Sequence, residues 1–218
     1  MGHMTITGDL SGISRCPHCS VATPHLKHLW TTPHQIMLPD KPLEGRFWAT
    51  YLCTTCANLV LVKCQGSNRQ NEGQGFPANH KIEKLFPEPK SAHDDIPEPA
   101  RTFLQQAYET LHAPDAAAVM AGSAVDAMLK YHKYTEGSLY SRIDQAVTDN
   151  LLTKGMADWA HAVRLGSNRP RHADKDKPHV SPEEAKQSVE FAEALGNFLF
   201  VLTARIERGL RAAGAPTP

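Results

Sequence analysis

Two spacings of apolar residues divide the chain. Between Arg46 and Lys63, aromatic and β-branched residues gather in two short runs, Arg46-Phe47-Trp48-Ala49-Thr50-Tyr51-Leu52 and Leu59-Val60-Leu61-Val62-Lys63, which predict two strands joined as a hairpin. From Ile96 onward the period becomes helical. Ile96, Ala100, Phe103, Ala107 and Leu111 predict a first helix, with Asp95 as N-cap and Glu98 three positions later. A second runs from Pro114-Asp115 to about Lys133, and its apolar residues Val119, Met120, Val125, Met128 and Leu129 lie nearly all round it, so it should be largely buried. Residues 138–151 predict a third helix on Leu139, Ile143, Ala146 and Val147, and Thr153 caps a fourth through Met156, Trp159, Ala160 and Val163 that Pro170 limits.

The last helix has the clearest start in the chain. Ser181-Pro182-Glu183-Glu184 combines an N-cap serine, a proline in the first turn and a glutamate at the capping-box position, and the helix runs to about Arg208. Ala185, Val189, Ala192, Leu199, Leu202 and Ile206 mark one apolar face, widened by Phe191, Leu195, Phe198 and Val201. So broad a stripe is either buried within one chain or covered by the second copy in a homodimer.

These elements give a mainly α fold: a helical bundle over residues 96–210, preceded by a small β-hairpin module over 10–65. Between them, 66–95 reads as a linker. The Gly/Asn/Gln-rich stretch 65–79 cannot build a core, and the prolines from Pro87 to Pro99 favour an extended path.

Composition narrows the function classes. Over 218 residues, 23 basic side chains balance 23 acidic ones, so no global field draws the chain to nucleic acid or membrane and any such binding needs a local patch. No apolar run nears the ~20 residues of a membrane span, and no signal-peptide pattern precedes the first cysteines, which predicts a soluble cytoplasmic protein.

In that compartment thiols stay reduced, and the five cysteines point to metal rather than disulfides. Cys16-Pro17-His18-Cys19 and Cys53-Thr54-Thr55-Cys56 are two Cys-x-x-Cys units separated by a 33-residue insert. Four thiolates suit a tetrahedral, borderline-soft ion and leave no open position, so the expected cofactor is a structural zinc held by Cys16, Cys19, Cys53 and Cys56. The competing readings are small buried hydrophobes, or a redox dithiol, which lacks its βαβ setting here. Cys64 is left over as a core thiol. His18 lies inside the first knuckle as a possible replacement ligand. The insert carries His25, His28 and His34, and its Pro24, Pro33, Pro39 and Pro42 read as loops.

The most polar and basic stretch lies between the fourth and fifth helices. Arg164 and Asn168 share a face if the helix persists, and His172 follows where the chain leaves it near Pro170. An arginine fork suits phosphate oxygens and a histidine suits proton transfer, so the three could serve phosphodiester cleavage without metal. Arg169, Arg171, Lys175, Lys177 and His179 add charge for an RNA backbone. The competing reading pairs Arg164 with Asp126 and uses Asn168 and His172 to cap the helix end. Asp126, on the nearly all-apolar second helix, belongs either to an internal ion pair or to the same site.

On Cys16-Pro17-His18-Cys19, Lys84-Leu85-Phe86-Pro87, the helix after Ile96-Pro97, the Arg164/Asn168/His172 set and Ser181-Pro182-Glu183-Glu184-Ala185, the chain resembles bacterial proteins carrying the DUF4145 domain, within the HEPN superfamily. The family motif is approximately R-x-x-G-N-x-x-x-H, with Ser167 in the glycine position here. The resemblance implies a HEPN-like bundle of four to five helices, dimerisation and a composite site. In that site His172 would move a proton, Arg164 would stabilise a phosphorane and Asn168 would orient the phosphate. It implies a metal-independent ribonuclease of the toxin or phage-defence kind, or a non-catalytic dimeric adaptor that binds nucleic acid or a protein partner in a defence or restriction system.

Overall fold

The computed structural model describes residues 10, 12–32, 36–67, 81–162 and 179–214, and the chain divides into two compact units, Met1–Lys90 and Ser91–Pro218.

The first unit is a five-stranded antiparallel sheet built on a long central strand. β1 (Leu26–Thr31) and β2 (Ile36–Leu38) both pair with one edge of β3 (Lys41–Cys53), β4 (Leu59–Ser67) pairs with the other, and β5 (Lys81–Phe86) follows β4. Side chains alternate across the pleat as a half-buried sheet requires. Phe47, Ala49, Tyr51 and Cys53 of β3, with Val60, Val62 and Cys64 of β4 and Leu26 of β1, form the core face, closed over by Leu10, Ile13 and Cys16. The residues between them, Trp48, Thr50, Leu52, Leu61 and Lys63, lie on the opposite face and are half-buried.

This sheet overturns the expected architecture. The protein is not a mainly α four- to five-helix bundle with a small hairpin; it combines a five-stranded antiparallel sheet with helices. The β3–β4 hairpin is where the sequence places it. The strands that turn a hairpin into a sheet come from segments whose prolines and polar residues read as irregular. β1 and β2 lie in the insert whose prolines predict loops, and β5 lies in the 66–95 stretch that reads as a linker. Prolines are tolerated because they fall between strands or at their ends, where no ladder hydrogen bond is lost.

The second unit is helical: α1 (Ala100–Glu109), α2 (Pro114–Tyr131), α3 (Leu139–Thr148), α4 over 154–162, α5 (Pro182–Gly196), a π-helical turn (Asn197–Leu202) and α6 (Thr203–Ala212). α2 is central and nearly all buried, from Ala117 to Leu129, with α1 and α5 packed on it. Small alanines along α2 allow the close approach, and Leu104, Met128, Ile143, Phe191 and Leu195 fill the space between helices. Three starts follow local chemistry. Ser181 and Glu184 form the full capping box of α5, Ser138 caps α3 through the Ser141 amide at 3.2 Å, and Thr153 accepts from the Met156 amide at 3.2 Å. α1 differs. Pro97 and Pro99 push Ile96 and Glu98 away from helical backbone angles, so the helix begins at Ala100 without a side-chain N-cap at Asp95. Asp95 instead binds Arg208 of α6 through two bonds of 3.0 and 2.8 Å, which hold its carboxyl below the usual carboxylate range.

Just after α2, the His132 ring stacks on Phe200 at 5.2 Å, and burial lowers its pKa. Above about pH 6.5 both folded and unfolded states carry a neutral ring, and the contact is fully stabilising. As pH falls below that value the unfolded chain takes the proton first, so stability drops until the folded-state pKa is passed. Melting temperatures taken from pH 7.5 to 5 should therefore fall less steeply in His132→Phe than in wild type; identical slopes would exclude His132 as the source.

Candidate metal centre

Each Cys-x-x-Cys unit folds into the same turn. In the first, the Cys16 carbonyl accepts from the Ser20 amide at 2.9 Å and the Cys16 amide donates to Val21 at 3.0 Å; in the second, the Cys53 carbonyl accepts from Ala57 at 2.8 Å and the Cys53 amide donates to Asn58 at 3.0 Å. The residue after the second cysteine is left-handed in both, Ser20 at φ 58° and Ala57 at φ 55°. That backbone turns two thiols to one side. It strains a non-glycine residue by about 1–2 kcal/mol, and glycine loses part of the gain through its larger unfolded-state entropy. Ala57→Gly should therefore raise unfolding stability by about 1 kcal/mol, read from denaturant midpoints.

Between them the two turns bring the Sγ atoms of Cys16, Cys19, Cys53 and Cys56 within 4.8 Å of one another, a group that could hold a metal ion. Cys16 Sγ and Cys56 Sγ lie 4.0 Å apart, close to the ~3.8 Å edge of a tetrahedron with ~2.3 Å metal–sulfur bonds. In the second turn, burial raises the Cys53 thiol, but the Cys56 and Thr55 amides and the neighbouring thiols of Cys16 and Cys56 outweigh it and bring it down to about 7. The Cys16 thiol receives the equivalent pair of amides, from Cys19 and His18, yet burial pushes it up to about 12. Cys19 is also raised by burial. A cation at the centre of this group would favour the thiolate form of all four.

His18 is not among the four. Its Nε2 lies 2.8 Å from the Leu59 carbonyl, which can only accept, so the ring donates and ties the first turn to the start of β4. Cys64 is buried in the sheet core, where desolvation pushes its thiol up to about 12. No helix among the described residues is long and apolar enough to cross a membrane.

The expected polar site fares differently. Arg164, Asn168 and His172, with Arg169, Arg171, Lys175 and Lys177, fall outside the described residues. Asp126 is described, and it is engaged: Arg142 Nη2 lies 2.5 Å from one carboxylate oxygen and Lys130 Nζ 2.7 Å from the other. Among the described residues its partners are thus the buried arginine of α3 and the lysine one turn along α2. His179 Nδ1 meets the Asp115 carboxylate at 2.7 Å, and the same carboxylate accepts from the Val180 amide, which sets the approach to α5. One cluster escaped sequence reading. His161 of α4 lies 3.0 Å from Asp144 of α3, its ring stacked on Tyr140 at 4.0 Å. No local signal links residues on separate helices, so only the fold brings them together.

No curated protein and no solved structure matches the chain. Residues 105–212 match the family model described as "Domain of unknown function (DUF4145)", so the helical unit carries a DUF4145 domain.

Proposed function

We propose that the protein is a non-catalytic, dimeric RNA-binding adaptor whose N-terminal sheet is stapled by zinc. One observation carries the reading: Lys27, Arg46, Lys63 and Lys84 lie on the face of the sheet turned away from its core, where they outnumber the Glu83 and Glu88 carboxylates paired with them, in a chain of zero net charge. Cross-strand pairing puts Lys63 opposite Lys84, while Arg46 reaches Glu83 at 3.0 Å and Glu83 reaches Lys63 at 3.1 Å. Zinc suits four thiolates in tetrahedral array, and a shell filled by sulfur offers no water for catalysis. The pairing of Asp126 with Arg142 and Lys130 favours a structural role for that carboxylate over a catalytic one.

The second copy is supported by an apolar stripe on the last helix. Phe198, Leu202 and Ile206 are 42%, 49% and 51% exposed, and α6 contributes no buried residue to its own unit. Leu202→Glu should convert a dimer to a monomer in light scattering; a monomeric wild type would remove the dimer from the reading. Purified protein titrated into fluorescent RNA at 50 mM salt should bind, more weakly as salt rises, and leave the RNA intact. Cleavage in EDTA that disappears in His172→Ala would replace the adaptor with a ribonuclease, and no RNA binding at any salt would end both readings.

A further inference from the structure

The outer face of the sheet carries more than charge. The register places Trp30 of β1 opposite Thr50 of β3, Thr50 opposite Leu61 of β4, and Leu61 opposite Phe86 of β5. Directly paired residues of an antiparallel ladder share a face, so these four form one row across the sheet. Trp48, two residues from Thr50, stands in the next row with Lys63 and Lys84. The two rows meet: the Trp48 and Phe86 rings lie 5.9 Å apart, tilted by 32°, and Lys84 Nζ sits 5.3 Å from the Phe86 centroid. Trp30 is half exposed, and Lys27 lies in the row on its other side, opposite Leu52.

Two of the chain's three tryptophans therefore stand on the face of the sheet that its core does not use. Neither belongs to the buried core of the sheet. From Trp30 to Phe86 the row spans three strand spacings, about 14 Å at ~4.8 Å each, a width on which two or three unstacked bases can lie. Lys27 flanks it on one side and Lys63 and Lys84 on the other, with Arg46 one row further out; Glu83 bridges Arg46 and Lys63 and Glu88 is paired to Lys84, which leaves an excess of positive charge for a backbone of phosphates. Thr50 adds a hydroxyl to the aromatic row, donor and acceptor at once, matched to a ribose 2′-hydroxyl.

We infer that this face is a stacking platform for single-stranded RNA, with Trp30, Trp48 and Phe86 receiving bases while Lys27, Lys63 and Lys84 hold the phosphates. The inference rests on the RNA-binding reading above and narrows it to strand state and surface. A duplex keeps its bases stacked inside and offers the rings nothing, so discrimination against duplex is the signature of the mechanism. An acidic peptide would use the lysines and leave the tryptophans unused.

The experiment titrates the full-length, zinc-loaded protein with a fifteen-residue oligo(U), the same length of oligo(dT), a fifteen-pair RNA duplex and a poly-glutamate peptide, following tryptophan fluorescence and anisotropy. Oligo(U) should quench the tryptophans and bind at least about tenfold tighter than the duplex or the peptide, with log K falling about 0.7 per log unit of salt for each phosphate engaged. Trp30→Ala, at an exposed position, should lose about fivefold or more in affinity, while Trp30→Phe retains most of it; zinc content and melting temperature report whether each variant is folded. Equal binding of single strand and duplex, peptide binding as tight as oligo(U), preference for oligo(dT), or affinity unchanged in both Trp30→Ala and Lys84→Glu would overturn the platform while leaving RNA binding elsewhere intact. No binding of any RNA would instead remove the reading beneath it.

Discussion

Replacing Cys53 with serine should unfold the sheet unit and leave the helical unit standing. Among the described residues the sheet core consists of eleven buried residues, three of them cysteines, which is little apolar volume. Structural zinc contributes on the order of 10 kcal/mol to the folding of small modules, more than such a core supplies. Cys53 holds the central position because it ends β3, opens the second turn and lies fully buried. Hydrogen exchange read by peptide mass spectrometry resolves the outcome by segment: protection should vanish across 12–67 and persist across 100–131 and 182–212. Metal analysis should find one zinc per chain in wild type and none in the variant. Loss of protection in both segments would overturn the expected survival of the helical unit, and retained protection in the sheet would show that the metal is dispensable there.

The second large effect concerns Asp126. Removing one member of a buried ion pair costs about 3–5 kcal/mol, because the other is left without its partner. Here Arg142 is buried while the Asp126 side chain keeps 26% exposure, so solvent screening brings the expectation to about 2–3 kcal/mol. Asp126→Ala should lower the melting transition of the helical unit by on the order of 10 °C, and Arg142→Met in the same background should recover part of the loss. RNA affinity should stay within about twofold of wild type. An Asp126→Ala protein that melts normally yet changes RNA handling would move Asp126 back into a functional site.

How much could be read in the sequence depended on how local the cause was. The cysteine turns and the capping box at Ser181 are decided by residues within five positions of one another, and both were legible. So was the β3–β4 hairpin, because two runs of strand-forming residues flank one turn. β1 and β5 were not, since what makes them strands is an edge offered by β3 and β4, and the prolines and polar residues beside them were the stronger local signal. The need for a partner at Asp126 could be foreseen from a carboxylate on an apolar helix. Its identity could not, because Arg142 approaches from another helix sixteen positions along the chain. The aromatic row on the sheet is the same case: Trp30, Trp48 and Phe86 become neighbours only through register.

The π-helical turn at Asn197–Leu202 carries a consequence for how this helix can vary. A helix that closes one turn with an extra residue advances by one position, about 100° of rotation for everything downstream. Upstream, Phe191, Ala192 and Leu195 point into the core; Leu202, which ends the turn, and Ile206 beyond it face out while Arg208 reaches Asp95. Deleting one residue here would leave the composition of the helix almost untouched and turn α6 like a dial, trading one surface for another. The outward identity of α6 is thus set by a count, and length changes at this turn should matter more than substitutions along that helix.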